Sequence, residues 1–122
     1  MDAIAQGVMD ALGPGFSEAV YHTAFEVELR RKGYEYETER VLPVLYTELV
    51  VGHVRLDIVV NRTTVLELKA VSKLNDSHKT QLKMYMRHGG FESGHLINFS
   101  DKGAIEVFTL SRYIAHTEPR LD

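Results

Sequence analysis

Asp57, Glu67 and Lys69 are the residues whose types and spacing first suggest chemistry. They lie in two apolar stretches, VRLDIVV (54–60) and TVLELKAV (64–71), joined by Asn61-Arg62-Thr63. Both stretches have the β-branched content of strands, and the connection has hairpin length. Side chains two apart on a strand share a face. Val54, Leu56, Ile58 and Val60 are therefore expected on one face, with Arg55, Asp57 and Val59 on the other. In the second stretch Leu66, Leu68 and Ala70 oppose Glu67 and Lys69. A suitable register then brings Asp57, Glu67 and Lys69 to one surface. Such a group is costly in an apolar strand pair unless something compensates it. A hard divalent cation would do so. Mg²⁺ takes oxygen ligands and is typically held by one or two carboxylates plus substrate phosphate. It would acidify a bound water and stabilise charge on a scissile phosphate. The lysine could orient or deprotonate that water, or stabilise the transition state. The competing reading is a solvated sheet face with ion pairs among Arg55, Asp57, Glu67 and Lys69, since D…E-x-K alone is a weak motif.

Two helical sets add to this group. In the segment 16–32, Glu18, Tyr21 and Phe25 fall on one helix face. In the segment 76–88, His78, Gln81 and Tyr85 do the same. Glu18 is a third candidate metal ligand, and Gln81 and Tyr85 are candidates for orienting the site or touching substrate. For Tyr21 and Tyr85, packing with a wet hydroxyl is an equal alternative. His78 reads as a polar residue at a helix start. The other histidines show no metal-ligand spacing. Lys79, Lys83 and Arg87 form a basic stripe that could meet a phosphate backbone or simply face water.

These residues need a scaffold, and the chain offers one. Residues 2–11 suit a helix that Gly13-Pro14-Gly15 must interrupt. The helix 16–32 has Ser17 as a candidate N-cap and ends at Gly33. Strands are expected at 34–38, 41–46, 54–60, 64–71, 94–99 and 105–110, with Pro43 marking an edge or bulge and Gly52 a turn. Asn75 or Asp76 would cap the helix 76–88, which Gly89-Gly90 ends. The tail from about Arg112 reads as loose or helical. Helices packed on a sheet are the natural solution, so the class is α/β or α+β. The helix between strands 64–71 and 94–99 permits a parallel crossover.

Composition bounds the function. The 122 residues make one domain, 1–122, with ordinary globular apolar content. With no cysteine, a disulfide scaffold, a thiolate zinc site, an iron–sulfur cluster and a cysteine nucleophile are excluded. There is no GxSxG elbow, P-loop or strand-linked GxGxxG. A net charge of −3 argues against a tight, nonspecific DNA coat protein. No apolar run approaches a membrane span, and the start lacks a signal peptide's basic and apolar blocks. The expectation is a cytoplasmic protein.

These motifs, in this order, resemble the GxxExxY proteins of the PD-(D/E)xK nuclease superfamily. The namesake run is present as Gly15-Phe16-Ser17-Glu18-Ala19-Val20-Tyr21. Arg55-Leu56-Asp57 resembles the family's R-x-D segment, Glu67-Leu68-Lys69 its E-x-K segment, and Leu96-Ile97-Asn98-Phe99 one of its strands. Gln81 and Tyr85 are similar to the Q-x-x-x-Y motif of RecB-type exonucleases. The resemblance implies a restriction-endonuclease-like core with a mixed central sheet flanked by helices. It implies Asp57 and Glu67 as metal ligands, Lys69 as the catalytic lysine, Glu18 as an added acidic residue, and Gln81 and Tyr85 near DNA. The resulting expectation is a Mg²⁺- or Mn²⁺-dependent phosphodiesterase acting on DNA. The Leu68 carbonyl would be a further ligand, and Tyr21 and Arg55 would complete the substrate-binding set. A non-catalytic nucleic-acid-binding or protein-interaction module on the same fold is the alternative. Fold analogy alone suggests a homodimer.

Overall fold

After Gly33 the hydrophobic period changes from helical to alternating, and the architecture changes with it. The computed structural model describes residues 1–112. Two helices, α1 (Asp2–Leu12) and α2 (Glu18–Arg31), precede strands β1 (Tyr36–Tyr46), β2 (Leu49–Val60) and β3 (Thr64–Lys69). Helix α3 (Asp76–Gly89) then leads to β4 (Ser93–Phe99) and β5 (Ile105–Ser111). The strands form one sheet in the order β1-β2-β3-β4-β5. Only β3 and β4, the pair joined through α3, run parallel. The result is an α+β fold, a mixed sheet with helices on both faces. The tail expected beyond Arg112 lies outside the described residues.

Two apolar layers hold the sheet. On one face Tyr21, Phe25 and Leu29 of α2 and Ile4, Val8 and Met9 of α1 pack against Ile58, Val60, Leu66, Leu68, Ile97 and Phe99. On the other, Leu82 and Tyr85 of α3 pack against Leu56, Val59, Val65 and Leu96. The predicted helix break at Gly13-Pro14-Gly15 is present, with Gly13 at φ 75° and Gly15 at φ 102°, backbone that L side chains rarely adopt. Ser17 takes the N-cap position of α2. Asn75 caps α3 through a reciprocal box in which Asn75 Oδ1 accepts from the His78 amide and His78 Nδ1 accepts from the Asn75 amide. His78 is thus a capping residue.

Three sequence expectations need correction. The strands expected at 34–38 and 41–46 are one strand, β1, continuous through Glu39. Gly52 makes no turn. The hairpin reverses at Thr47-Glu48, where Tyr46 pairs with Leu49, and Gly52 lies inside β2 opposite Val44. The β1–β2 register shifts between Val44 and Leu45, beside Pro43, so the glycine marks an irregular ladder. Leu56 does not share a layer with Ile58 and Val60 but packs on the α3 side. Strict alternation fails there because Glu39 is left-handed (φ 55°) opposite Asp57 and these two residues do not pair in the ladder.

Tyr21 anchors the helical layer. It is fully buried, stacks on Phe99 with ring centroids 4.5 Å apart, and donates its hydroxyl proton to the Gly13 carbonyl at 2.7 Å. Tyr21→Phe should lower unfolding free energy by about 1 kcal/mol through the lost hydrogen bond. Tyr21→Ala should lower it by about 3–5 kcal/mol through the cavity left behind. Urea denaturation of the two variants checks both values.

Candidate active site

Strands β2 and β3 separate where the chemistry collects. Their ladder runs through Val60↔Thr64, Val59↔Val65 and Ile58↔Leu66, and stops there. The next residues across from each other are Asp57 and Glu67. Side chains replace the missing backbone bonds. Asp57 Oδ2 accepts from the Leu68 amide at 2.8 Å, and Glu67 Oε1 accepts from the Asp57 amide at 3.2 Å. Buried amides are thereby satisfied while the strands part. Asp57 Oδ1 and Glu67 Oε2 are left over for other contacts.

The gap is approached from both faces of the sheet. From one side α2 brings Glu18, His22 and Glu26, spaced one turn apart, to an open cleft of about 470 Å³ shared with Thr38, Glu39 and Asp57. From the other side α3 brings Gln81, whose Oε1 accepts from Lys69 Nζ at 3.2 Å, and Tyr85, which is buried. Glu67, Lys69, Gln81 and Tyr85 thus belong to the α3 side, and Glu18 to the α2 side. Asp57 joins them in the gap.

The charge of Asp57 is felt by both Glu18 and Glu67. Burial, followed by the negative charge of Asp57, pushes the Glu67 carboxyl up to about 8. Burial also raises the Asp57 carboxyl, against the opposing pull of the Leu68 amide. Glu18 is raised by burial and then by Asp57, with Lys69 and His22 working the other way. Tyr85 is pushed up to about 12 by burial and by Glu67 and Asp57, so its hydroxyl stays a proton donor at neutral pH. No salt bridge within 4.0 Å joins Glu18, Asp57 or Glu67 to a lysine or arginine among the described residues. Three oxygen acids, two of them raised by the charge of the third, with free carboxylate oxygens, suit a hard divalent cation. In the arrangement described, no three His, Asp or Glu side chains already form a finished metal shell among the described residues.

Two expected site residues are placed elsewhere. Tyr21 is a buried strut whose hydroxyl faces the turn at Gly13, not the cleft. Arg55 is exposed, with its Nε 3.7 Å from Glu39 Oε2 at the cleft's rim. Of the basic stripe, Lys83 and Arg87 are exposed, while Lys79 lies over the Phe108 ring at 5.1 Å.

Other residues join the site without having been singled out in the sequence. His22 lines the cleft, its Nε2 3.2 Å from Glu26 Oε2, and its one-turn spacing from Glu18 is the signal that finds it. Glu39 also lines the cleft, from a left-handed backbone that no alternation rule anticipates. Asn98 is fully buried opposite Lys69 on β4. It accepts from the Val71 amide and donates to the Val71 carbonyl and to Glu106 Oε1, each at 2.9 Å. Glu106 Oε1 also accepts from the Leu74 amide at 3.1 Å. These bonds hold the segment between Lys69 and α3, and so hold Gln81 relative to Lys69. A buried polar residue within the apolar run Leu96–Phe99 was the available sequence clue.

A family model of the PD-(D/E)XK nuclease superfamily matches residues 1–109. The chain belongs to the PD-(D/E)XK nuclease superfamily. Comparison with curated proteins returns no match. Among solved structures, the crystal structure of SSO0001 is similar, with a TM-score of 0.58 at 21% sequence identity. That likeness covers 76% of this chain and 48% of SSO0001, so the chain spans about half of that protein and shares its fold. The mixed five-stranded sheet flanked by three helices agrees with the restriction-endonuclease-like core of this superfamily.

Because Glu67 is held near 8 when folded and ordinarily titrates near 4.5, the folded protein retains a proton that the unfolded chain releases between those values. Metal-free stability should therefore be fully present below pH 4.5 as regards this group, and fall as pH rises through about 8. Glu67→Gln should flatten that decline, as read from urea midpoints between about pH 5 and pH 9. Asn98→Ala should destabilise by at least about 2 kcal/mol, because it strands buried partners at Val71 and Glu106.

Proposed function

We propose that the chain is a Mg²⁺- or Mn²⁺-dependent nuclease that hydrolyses phosphodiester bonds, with DNA as its substrate. The GxxExxY branch is the part of the superfamily its motifs fit best. The observation that carries the reading is the meeting of Asp57, Glu67 and Lys69 where β2 and β3 part, with Gln81 bonded to the lysine.

Glu18, Asp57, Glu67 and the Leu68 carbonyl would hold the cation. When bound, it supplies positive charge to the scissile phosphate and acidifies the attacking water. Lys69 Nζ, oriented by Gln81 Oε1, donates to that water or to a phosphate oxygen. Water forms the new bond to phosphorus, the bond to the leaving sugar oxygen breaks, and one proton passes from the former to the latter through solvent or Lys69. Gln81 keeps its amide N–H groups for phosphate, and the Tyr85 hydroxyl is a further donor nearby. Arg55 at the rim, with exposed Lys83 and Arg87, offers cations to the flanking backbone. Tyr21 contributes by fixing the turn that delivers Glu18. Binding of nucleic acid is the partner reading that follows. No helix of the described residues is long and apolar enough to cross a membrane.

Lys69→Ala should abolish Mg²⁺- or Mn²⁺-dependent cleavage of DNA, by at least about 1,000-fold, with an unchanged circular dichroism spectrum. Cleavage at the wild-type rate would sink the mechanism. Calorimetry should show divalent-cation binding that strengthens as pH rises towards 8, with proton release as Glu67 ionises. Asp57→Ala combined with Glu67→Ala should remove it. Salt-dependent DNA affinity without metal-dependent cleavage would instead support the non-catalytic binding module.

A further inference from the structure

We propose, within the nuclease reading and resting on it, that His22 is the catalytic residue that protonates the leaving sugar oxygen, with Glu26 holding its ring. His22 lies on α2 one turn after Glu18 and one turn before Glu26. Its Nε2 is 3.2 Å from Glu26 Oε2, and the two side chains are only 14% and 23% exposed. A pair that merely decorated a helix surface would stand in bulk water. This one is sheltered and lines the cleft together with Glu18 and Asp57. It is close enough that positive charge on His22 favours the ionised form of both acids. Glu26 takes Nε2, which leaves Nδ1 for a substrate atom.

The two-sided gap selects the role. In-line displacement puts the attacking and leaving oxygens on opposite sides of phosphorus. Lys69, bonded to Gln81 at 3.2 Å, stands on the α3 side, where it serves the attacking water. The leaving oxygen then falls on the α2 side. Of the side chains lining the cleft there, His22 alone can carry a positive charge. Glu18 and Asp57 are taken up by the cation, Glu39 Oε2 is 3.7 Å from Arg55 Nε, and threonine hydroxyls are far weaker acids. Imidazole is the side chain whose charge ordinarily changes near neutrality, so it can give and regain a proton there. The water oxygen bonds to phosphorus, and the bond from phosphorus to the leaving sugar oxygen breaks. That oxygen takes the Nδ1 proton of the imidazolium and departs as an alcohol. Neutral His22 keeps its Nε2–H on Glu26 and regains a proton from solvent, which has received one from the attacking water. Glu26 is a positioning residue, because a carboxylate on one ring nitrogen orients the other and stabilises the charged ring.

Cleavage of two DNA oligonucleotides in Mg²⁺ or Mn²⁺ tests this. One is unmodified. In the other, sulfur replaces the bridging oxygen that the ends of the wild-type products identify as the leaving atom. A thiolate departs without being protonated, so it has no need of His22. His22→Gln should lower kcat on unmodified DNA by about 100-fold or more with little change in KM, and should cut the sulfur-bridged oligonucleotide close to the wild-type rate. Glu26→Ala should show a smaller loss with the same rescue, and serves if His22→Gln does not fold. A merely structural role would not respond to the leaving atom. Lys69→Ala acts on the attacking side and should stay inactive on both oligonucleotides. Equal loss on both by a folded His22→Gln, or its undiminished cleavage of unmodified DNA, would overturn the role of His22 and leave the nuclease reading standing. Rescue of Lys69→Ala by sulfur would put the leaving oxygen on the α3 side and overturn that role too. A wild type inactive on unmodified DNA would overturn the nuclease reading, and the role of His22 with it.

Discussion

The exchange of two hydrogen bonds between β2 and β3 is the constraint on which the rest of the site depends. Antiparallel neighbours ordinarily satisfy each other's backbone. Here the Asp57 carboxylate takes the Leu68 amide and the Glu67 carboxylate takes the Asp57 amide. Each acid does what a backbone carbonyl would do, but from the end of a side chain, and the strands part by that extra reach. The gap is what lets helices from opposite faces of the sheet address one place. Burial of the same carboxylates raises their affinity for protons, most strongly at Glu67. Strand geometry and site chemistry are thus one arrangement, and neither can be changed alone.

The surrounding elements keep that arrangement in register. Tyr21, stacked on Phe99 and bonded to Gly13, ties the turn before α2 to the sheet and so sets where Glu18 begins its helix. Asn98 and Glu106 do the corresponding task on the other face, where the chain leaves Lys69 and must return at α3. Both devices are buried polar contacts inside apolar layers. Such contacts are strong when complete and expensive when one partner is lost, which suits parts that must stay fixed. The superfamily's sheet supplies the frame, and these contacts adapt it to this chain's helices.

Much of the fold was legible because it follows local periodicity. The helix break at Gly13-Pro14-Gly15, the hairpin at Asn61-Arg62-Thr63, the Asn75 cap and the parallel crossover through α3 all rest on signals within a few residues. Asp57, Glu67 and Lys69 stood out for the same reason, as charges where alternation expects a sheet. The failures share a cause as well. Gly52 locally suggests a turn, but pairing between whole strands puts the reversal at Thr47-Glu48. Strict alternation groups Leu56 with Ile58 and Val60, but Glu39 and Asp57 break the ladder. For Tyr21 the sequence leaves packing and substrate contact as equal alternatives, and the fold directs its hydroxyl to the Gly13 carbonyl.

By itself, then, the sequence determined the three helices, the strands that follow the first hairpin and the acid–lysine group on two adjacent strands, because propensity and period act over short stretches of chain. It also carried the motifs that make the superfamily recognisable. Only tertiary structure decided that β2 and β3 separate at Asp57, that His22 and Glu39 share the cleft with Glu18, and that Gln81 meets Lys69. It alone shows that, among the described residues, the outer part of β2 pairs with β1 and with no third strand. Those outcomes depend on which residues, far apart in the chain, compete for the same backbone amides and the same buried space, and no local pattern records that competition.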